Sequence, residues 1–134
     1  MKDFVADTHA IIWFLARSKK LSPKVRAIFQ QAKAGQGHVI VPTMVLAEAI
    51  FLAQRQRIDP PVIKVLLGLS ENPQDGIYLY PLNKEVITAF SRFGSNAVPE
   101  LADRIIAATA LHLDLPLLTV DSSIEASTLV KTIW

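Results

Sequence analysis

The chain has 134 residues, a formal charge of +2 from 14 basic and 12 acidic side chains, and a hydrophobic fraction of 51%, the size and make-up of one globular domain that buries a core without covalent staples. It has no cysteine, which excludes disulfides, thiolate zinc centres and cysteine nucleophiles and leaves oxygen or imidazole to hold any metal. No apolar stretch reaches the ~18 residues of a membrane span, and Met1-Lys2-Asp3-Phe4 lacks a signal-peptide pattern, so a soluble, cytoplasmic protein is expected.

Phe4-Val5-Ala6 is a short β-type run ending at Asp7-Thr8, after which Ile11, Ile12, Phe14 and Leu15 recur at helical spacing. Ser22-Pro23 reads as an N-cap with proline at the first helical position, and Gly35 and Gly37 are expected to stop that helix. The basic residues Arg17, Lys19, Lys20, Lys24 and Arg26 gather in this stretch and modestly favour a polyanionic partner. His38 to Val41 is a second strand; Pro42-Thr43 opens a helix through about Arg57, and Pro60-Pro61 another through about Leu69. Gly76 to Tyr80 is a third strand, Asn83 caps a helix to about Phe93, and Pro99-Glu100 starts one reaching Leu113. Leu117 to Val120 is a fourth strand, Ser122 to Ala126 a short turn or helix, and Val130 to Trp134 a fifth strand. Strands separated by helices imply a parallel sheet covered on both faces.

In open parallel sheets ligands bind beyond the carboxyl ends of the strands, so acids directly after strands are the ones to inspect. Asp7 and Asp121 qualify, and Asp3, before the first strand, lies at the opposite edge. Glu48, early in the helix after strand two, and Asp103, early in the helix before strand four, can point back at the same edge. Glu48 is the only charged residue from Thr43 to Ala53, Asp103-Arg104 precedes the uncharged run Ile105 to Leu111, and Asp7 follows Phe4-Val5-Ala6. Ionised carboxylates in such settings cost several kcal/mol unless paired or bound to a metal. Taken singly, Asp7 and Asp121 could be helix caps, Asp103 a dipole partner and Glu48 a buried hydrogen-bonded acid. Together they favour a hard divalent cation, although the fold could bring Arg104 or Lys84 near.

The blocks Asp7-Thr8-His9-Ala10-Ile11-Ile12-Trp13, Pro42-Thr43-Met44-Val45-Leu46-Ala47-Glu48, Ala102-Asp103-Arg104-Ile105-Ile106-Ala107-Ala108-Thr109-Ala110 and Leu117-Leu118-Thr119-Val120-Asp121 resemble PIN domains of the VapC toxin type. The likeness runs over essentially the whole chain, 1–134. It implies a single three-layer α/β/α, Rossmann-like domain with four to five parallel strands. It also implies an endoribonuclease that acts as the toxin of a toxin–antitoxin pair, a homodimer, and a neighbouring antitoxin that blocks it. By the same likeness Asp7 and Asp103 are the main ligands of Mg²⁺ or Mn²⁺, Glu48 and Asp121 complete the catalytic set, and Thr8 and Thr119 are supporting hydroxyls. His9 departs from the small residue common there. Glu100, on the Asp103 face of its helix, is expected to cap rather than ligate.

Metal-assisted attack of water on a phosphodiester predicts 3′-hydroxyl and 5′-phosphate ends, with Arg104 and Arg17 as candidate grips on the RNA backbone. The helices from Thr43 to Leu69 carry more apolar residues than one buried face needs (Ile50, Phe51, Leu52, Ile63, Val65, Leu66, Leu67, Leu69), which suits an antitoxin or dimer groove that Trp13 and Phe14 could join. A receiver domain is excluded because strand three ends Tyr78-Leu79-Tyr80-Pro81 without an acid; a haloacid dehalogenase-type phosphatase fails because His9 stands where a second aspartate is needed. The alternative is a PIN-like domain that only binds RNA or protein, but all four acidic positions are filled.

Overall fold

The computed structural model describes residues 2–71 and 75–134. Its strands β1 (Lys2–Ala6), β2 (Gly37–Pro42), β3 (Ile77–Tyr80), β4 (Leu117–Leu118) and β5 (Thr132–Ile133) form one parallel sheet in the order β3-β2-β1-β4-β5. The helices α1 (Thr8–Leu15), α2 (Pro23–Lys33), α3 (Thr43–Gln54), α4 (Pro60–Gly68), α5 (Lys84–Phe90), α6 (Leu101–Leu113) and α7 (Ser122–Ser127) flank it. The central strand β1 buries Phe4, Val5 and Ala6 consecutively, as a strand covered on both faces must. Phe4 pairs with Val39, and Val5 with Ile40 on one side and Leu117 on the other.

Local chemistry sets the helix starts. Ser22 accepts from the Val25 N–H at 3.1 Å with Pro23 at the first helical position, and Asn83 accepts from the Val86 N–H at 2.9 Å. Several ends differ from the expected ones. α3 stops at Gln54 rather than Arg57 because Gln56 turns left-handed (φ 60) and the Arg57 N–H returns to the Leu52 carbonyl at 3.0 Å. α5 stops at Phe90, leaving Phe93 buried in the following turn, and α6 begins at Leu101, after Glu100. A 3₁₀ turn, Leu69–Glu71, extends α4.

Gly35 (φ 78) does end α2, but Gly37 is the first residue of β2 instead of a stop signal. A Cβ there would lie 2.2 Å from the Lys2 carbonyl oxygen, so only glycine lets β2 sit against β1 in this register. β4 is shorter than expected: Thr119 is buried and Val120 exposed. No helix among the described residues is long and apolar enough to cross a membrane.

Candidate metal centre

β1 and β4 are neighbours and end at the same edge, which sets Asp7 beside Thr119. Asp7 is the N-cap of α1, accepting from the Thr8 N–H at 2.7 Å through one oxygen and from the Thr119 hydroxyl at 2.6 Å through the other. It is only 7% exposed. Burial pushes its carboxyl above the usual range, against the pull of these two hydrogen bonds; the charge of Glu48 adds to the rise.

Glu48 reaches the same place from α3, where it is half-buried and accepts from the Thr8 hydroxyl. Asp103 enters from the first turn of α6. One carboxylate oxygen from each of Asp7, Glu48 and Asp103 lies within 4.8 Å of the other two. Burial, then the charges of Asp7, Asp121 and Glu48, then a hydrogen bond shared with Asp121, push the Asp103 carboxyl up to about 7.

Asp121 stands next to Asp103 but outside that group of three. It caps α7, accepting from the Ser123 N–H at 2.8 Å, the Ser123 hydroxyl at 2.6 Å and the Ile124 N–H at 3.1 Å. Burial works against its charge, yet these hydrogen bonds outweigh it and hold the carboxyl below the usual range. Thr119 joins the two halves, donating to Asp7 and accepting from the Asp121 N–H at 3.0 Å.

Arg104 supplies no counter-charge. Its guanidinium donates to the carbonyls of Val98 at 3.0 Å, Gly94 at 3.1 Å, Ser95 at 3.4 Å and Ala97, and lies over the Phe90 ring. Its Nε and Nη2 are thereby committed to backbone carbonyls. The only contact between an acid and a basic side chain within 4.0 Å among the described residues is the His38–Asp3 hydrogen bond at 2.9 Å, at the opposite edge, where Asp3 was expected. Lys84 forms none with the acids. Glu100 is the exposed N-cap residue of α6 but makes no side-chain capping bond, and His112 meets the Tyr80 hydroxyl at 3.0 Å. His9 is exposed beside Trp13.

Two contributors were not singled out from the sequence. Ser123 fixes Asp121, and the Asp-x-Ser spacing at a helix start was the available signal. Trp134 packs edge-on against Trp13 at 5.7 Å between ring centroids, which no local pattern announces. An all-oxygen donor set with converging negative charge, ion-paired to no Lys or Arg among the described residues, fits a hard divalent cation.

Over residues 4–127 the sequence matches the family described as PIN domain. No curated protein matches it. Solved structures similar to it include VapBC2 from Rickettsia felis bound to a DNA fragment from their promoter (10% identity, TM-score 0.72, covering 98% of this chain and 97% of that one). Others are FitAcB from Neisseria gonorrhoeae (20%, 0.65, 98% and 96%) and DNA-bound VapBC from Salmonella typhimurium (16%, 0.67, 99% and 98%). At these identities the likeness is one of fold.

Proposed function

Because the chain belongs to the PIN domain family, we propose that it is a metal-dependent endoribonuclease, one such domain over residues 1–134, acting as the toxin of a toxin–antitoxin pair. The observation that carries this reading is the convergence of Asp7, Glu48 and Asp103 oxygens within 4.8 Å of one another. Asp7, Glu48 and Asp103 would hold Mg²⁺ or Mn²⁺, with Asp121 adjoining. Such an ion supplies relief of phosphate charge and acidification of an attacking water.

The chain's own residues set the geometry for that chemistry. Thr119 and the Thr8 N–H hold both oxygens of Asp7 in place, and the Thr8 hydroxyl orients Glu48. Asp121, held below the usual carboxylate range by Ser123 and Ile124, shares a hydrogen bond with Asp103 and would help to position it at the ion.

The antitoxin would dock on α3 and α4, where Phe51, Val65 and Leu67 are exposed and a groove of about 460 Å³ is lined by Ile50, Ala53, Ile63 and Leu67. Leu66 and Leu69 are core residues and Phe14 stacks on Phe29, so these three do not join it. A homodimer is the second assembly we propose, on the strength of the family resemblance.

The test is incubation of the purified chain with mixed tRNA and ribosomal RNA in Mg²⁺ or Mn²⁺, beside EDTA and Asp7→Asn controls, with the new ends mapped. Cuts bearing 5′-phosphates that vanish in both controls support the reading. Cyclic phosphate ends, or cutting that persists in EDTA, overturn it.

A further inference from the structure

α1 leads away from the carboxylates along a face that ends in aromatic and basic side chains. His9 and Trp13, one helical turn apart, lie with ring centroids 5.2 Å apart and planes inclined at 49°. Trp134 meets Trp13 edge-on, and the Lys20 ammonium stands 5.7 Å over the Trp13 ring. Beyond Trp13 is a pocket of about 290 Å³ whose lining includes Lys20, Arg57, Ser18 and Asp59. The loop carrying Lys20 is pinned by the Arg26 guanidinium, which donates to the Ser18 carbonyl at 2.8 Å. His9 is exposed and adjoins Thr8, so the aromatic pair begins at the edge of the acid cluster.

An exposed aromatic backed by a second ring, with cations further along, has the chemistry that holds an unpaired base and its phosphates. Asp7 to Trp13 spans roughly 9 Å at 1.5 Å per helical residue. At ~3.4 Å per stacked nucleotide, that is about two to three nucleotides. We propose that His9 and Trp13 form a stacking subsite for a base of single-stranded RNA flanking the cut, with Lys20 and Arg57 holding the phosphates beyond it. This inference rests on the nuclease reading and adds the residues that would seat a base and its phosphates beside the acids. A duplex keeps its bases paired and cannot offer one to the subsite.

The chain has two tryptophans, both in this cluster, so fluorescence excited selectively in tryptophan reports on it. In EDTA, titration of the full chain with a short 2′-O-methyl oligouridylate, which resists cleavage, is expected to quench that fluorescence saturably. His9→Ala, at an exposed position, is expected to weaken binding about 5- to 150-fold, the range for one lost base stack. Lys20→Ala with Arg57→Ala is expected to lower the slope of log affinity against log salt by about 1.4, at about 0.7 per phosphate contact. Circular dichroism verifies that each variant is folded. Inorganic polyphosphate quenching as strongly as the oligonucleotide, a duplex binding as tightly, or His9→Ala binding like the wild type would each overturn the subsite. These measurements need neither metal nor cleavage. Quenching that persists in a chain unable to cut RNA with Mg²⁺ or Mn²⁺ therefore counts against the nuclease alone, and cutting without any dependence on His9 counts against the subsite alone.

Discussion

Thr119 donates to Asp7 and accepts from the backbone of Asp121, so a single hydroxyl, 4% exposed, joins two of the acids. Thr119→Val keeps the shape and leaves a buried carboxylate oxygen and an N–H unpaired, a loss of about 1–3 kcal/mol expected in urea unfolding; Thr119→Ser should retain most of it. Asp103 carries the pH dependence. Between the ordinary 3.8 and about 7, the folded chain keeps a proton on Asp103 that the unfolded chain has released. Folded protein thus binds more protons in that window, and stability falls as pH rises through it. Asp7, also raised, acts in the same direction; Asp121, lowered, contributes stability that is lost only as pH falls into the acid range. In EDTA the melting temperature should drop from pH 5 to pH 8, and Asp103→Asn should flatten that decline. At pH 8, Mn²⁺ at about 100 times its dissociation constant should restore about 2.7 kcal/mol to the wild type and little to the variant. A wild-type melting temperature that rises across this range would contradict the assignment.

At the scale of elements, the side chain of Arg104 anchors the start of α6 to the irregular stretch 94–98, which includes the β-branched Val98 in a left-handed conformation (φ 47). Arg104→Ala should cost about 1.5–3 kcal/mol and raise amide exchange at 94–98, and lysine should rescue little, because a point charge cannot span four carbonyls. From the sequence Arg104 read as a possible counter-ion or RNA grip, since carbonyl acceptors in an unpatterned loop leave no mark among side chains. The strands were legible for the opposite reason: Phe4-Val5-Ala6 and Val39-Ile40-Val41 are apolar runs bounded by turn residues, and a strand's end fixes the location of the acid that follows it. Asp7, read from a strand's end, does meet Glu48 and Asp103 from the helices α3 and α6 at one edge. Asp121 was placed at the right edge, but its engagement with α7 separates it from the other three, a distinction that depends on side-chain rotamers. Helix ends were misjudged by a few residues where a left-handed residue such as Gln56 intervenes, since glutamine does not announce that conformation.

For the whole molecule, the exposed apolar residues of α3 and α4 form the face on which the proposed antitoxin would dock. Phe51→Glu and Leu67→Glu, at positions 52% and 47% exposed, should leave monomer stability within about 0.5 kcal/mol. They should abolish antitoxin capture in sedimentation velocity; strong unfolding instead would mean that this face belongs to the core. The sheet order has a consequence of another kind. β1 lies between β2 and β4, and the hydrogen bond that fixes Asp7 comes from a residue 112 positions later. Contacts so distant in sequence form late in folding. While the chain is being synthesised, Asp7 leaves the ribosome long before Asp103 and Thr119 exist, so a ribosome-bound chain cannot assemble the acid cluster. On the proposed nuclease reading, the ribosome making this protein and the messenger being read would thus be shielded from it until nearly all of the chain has been translated.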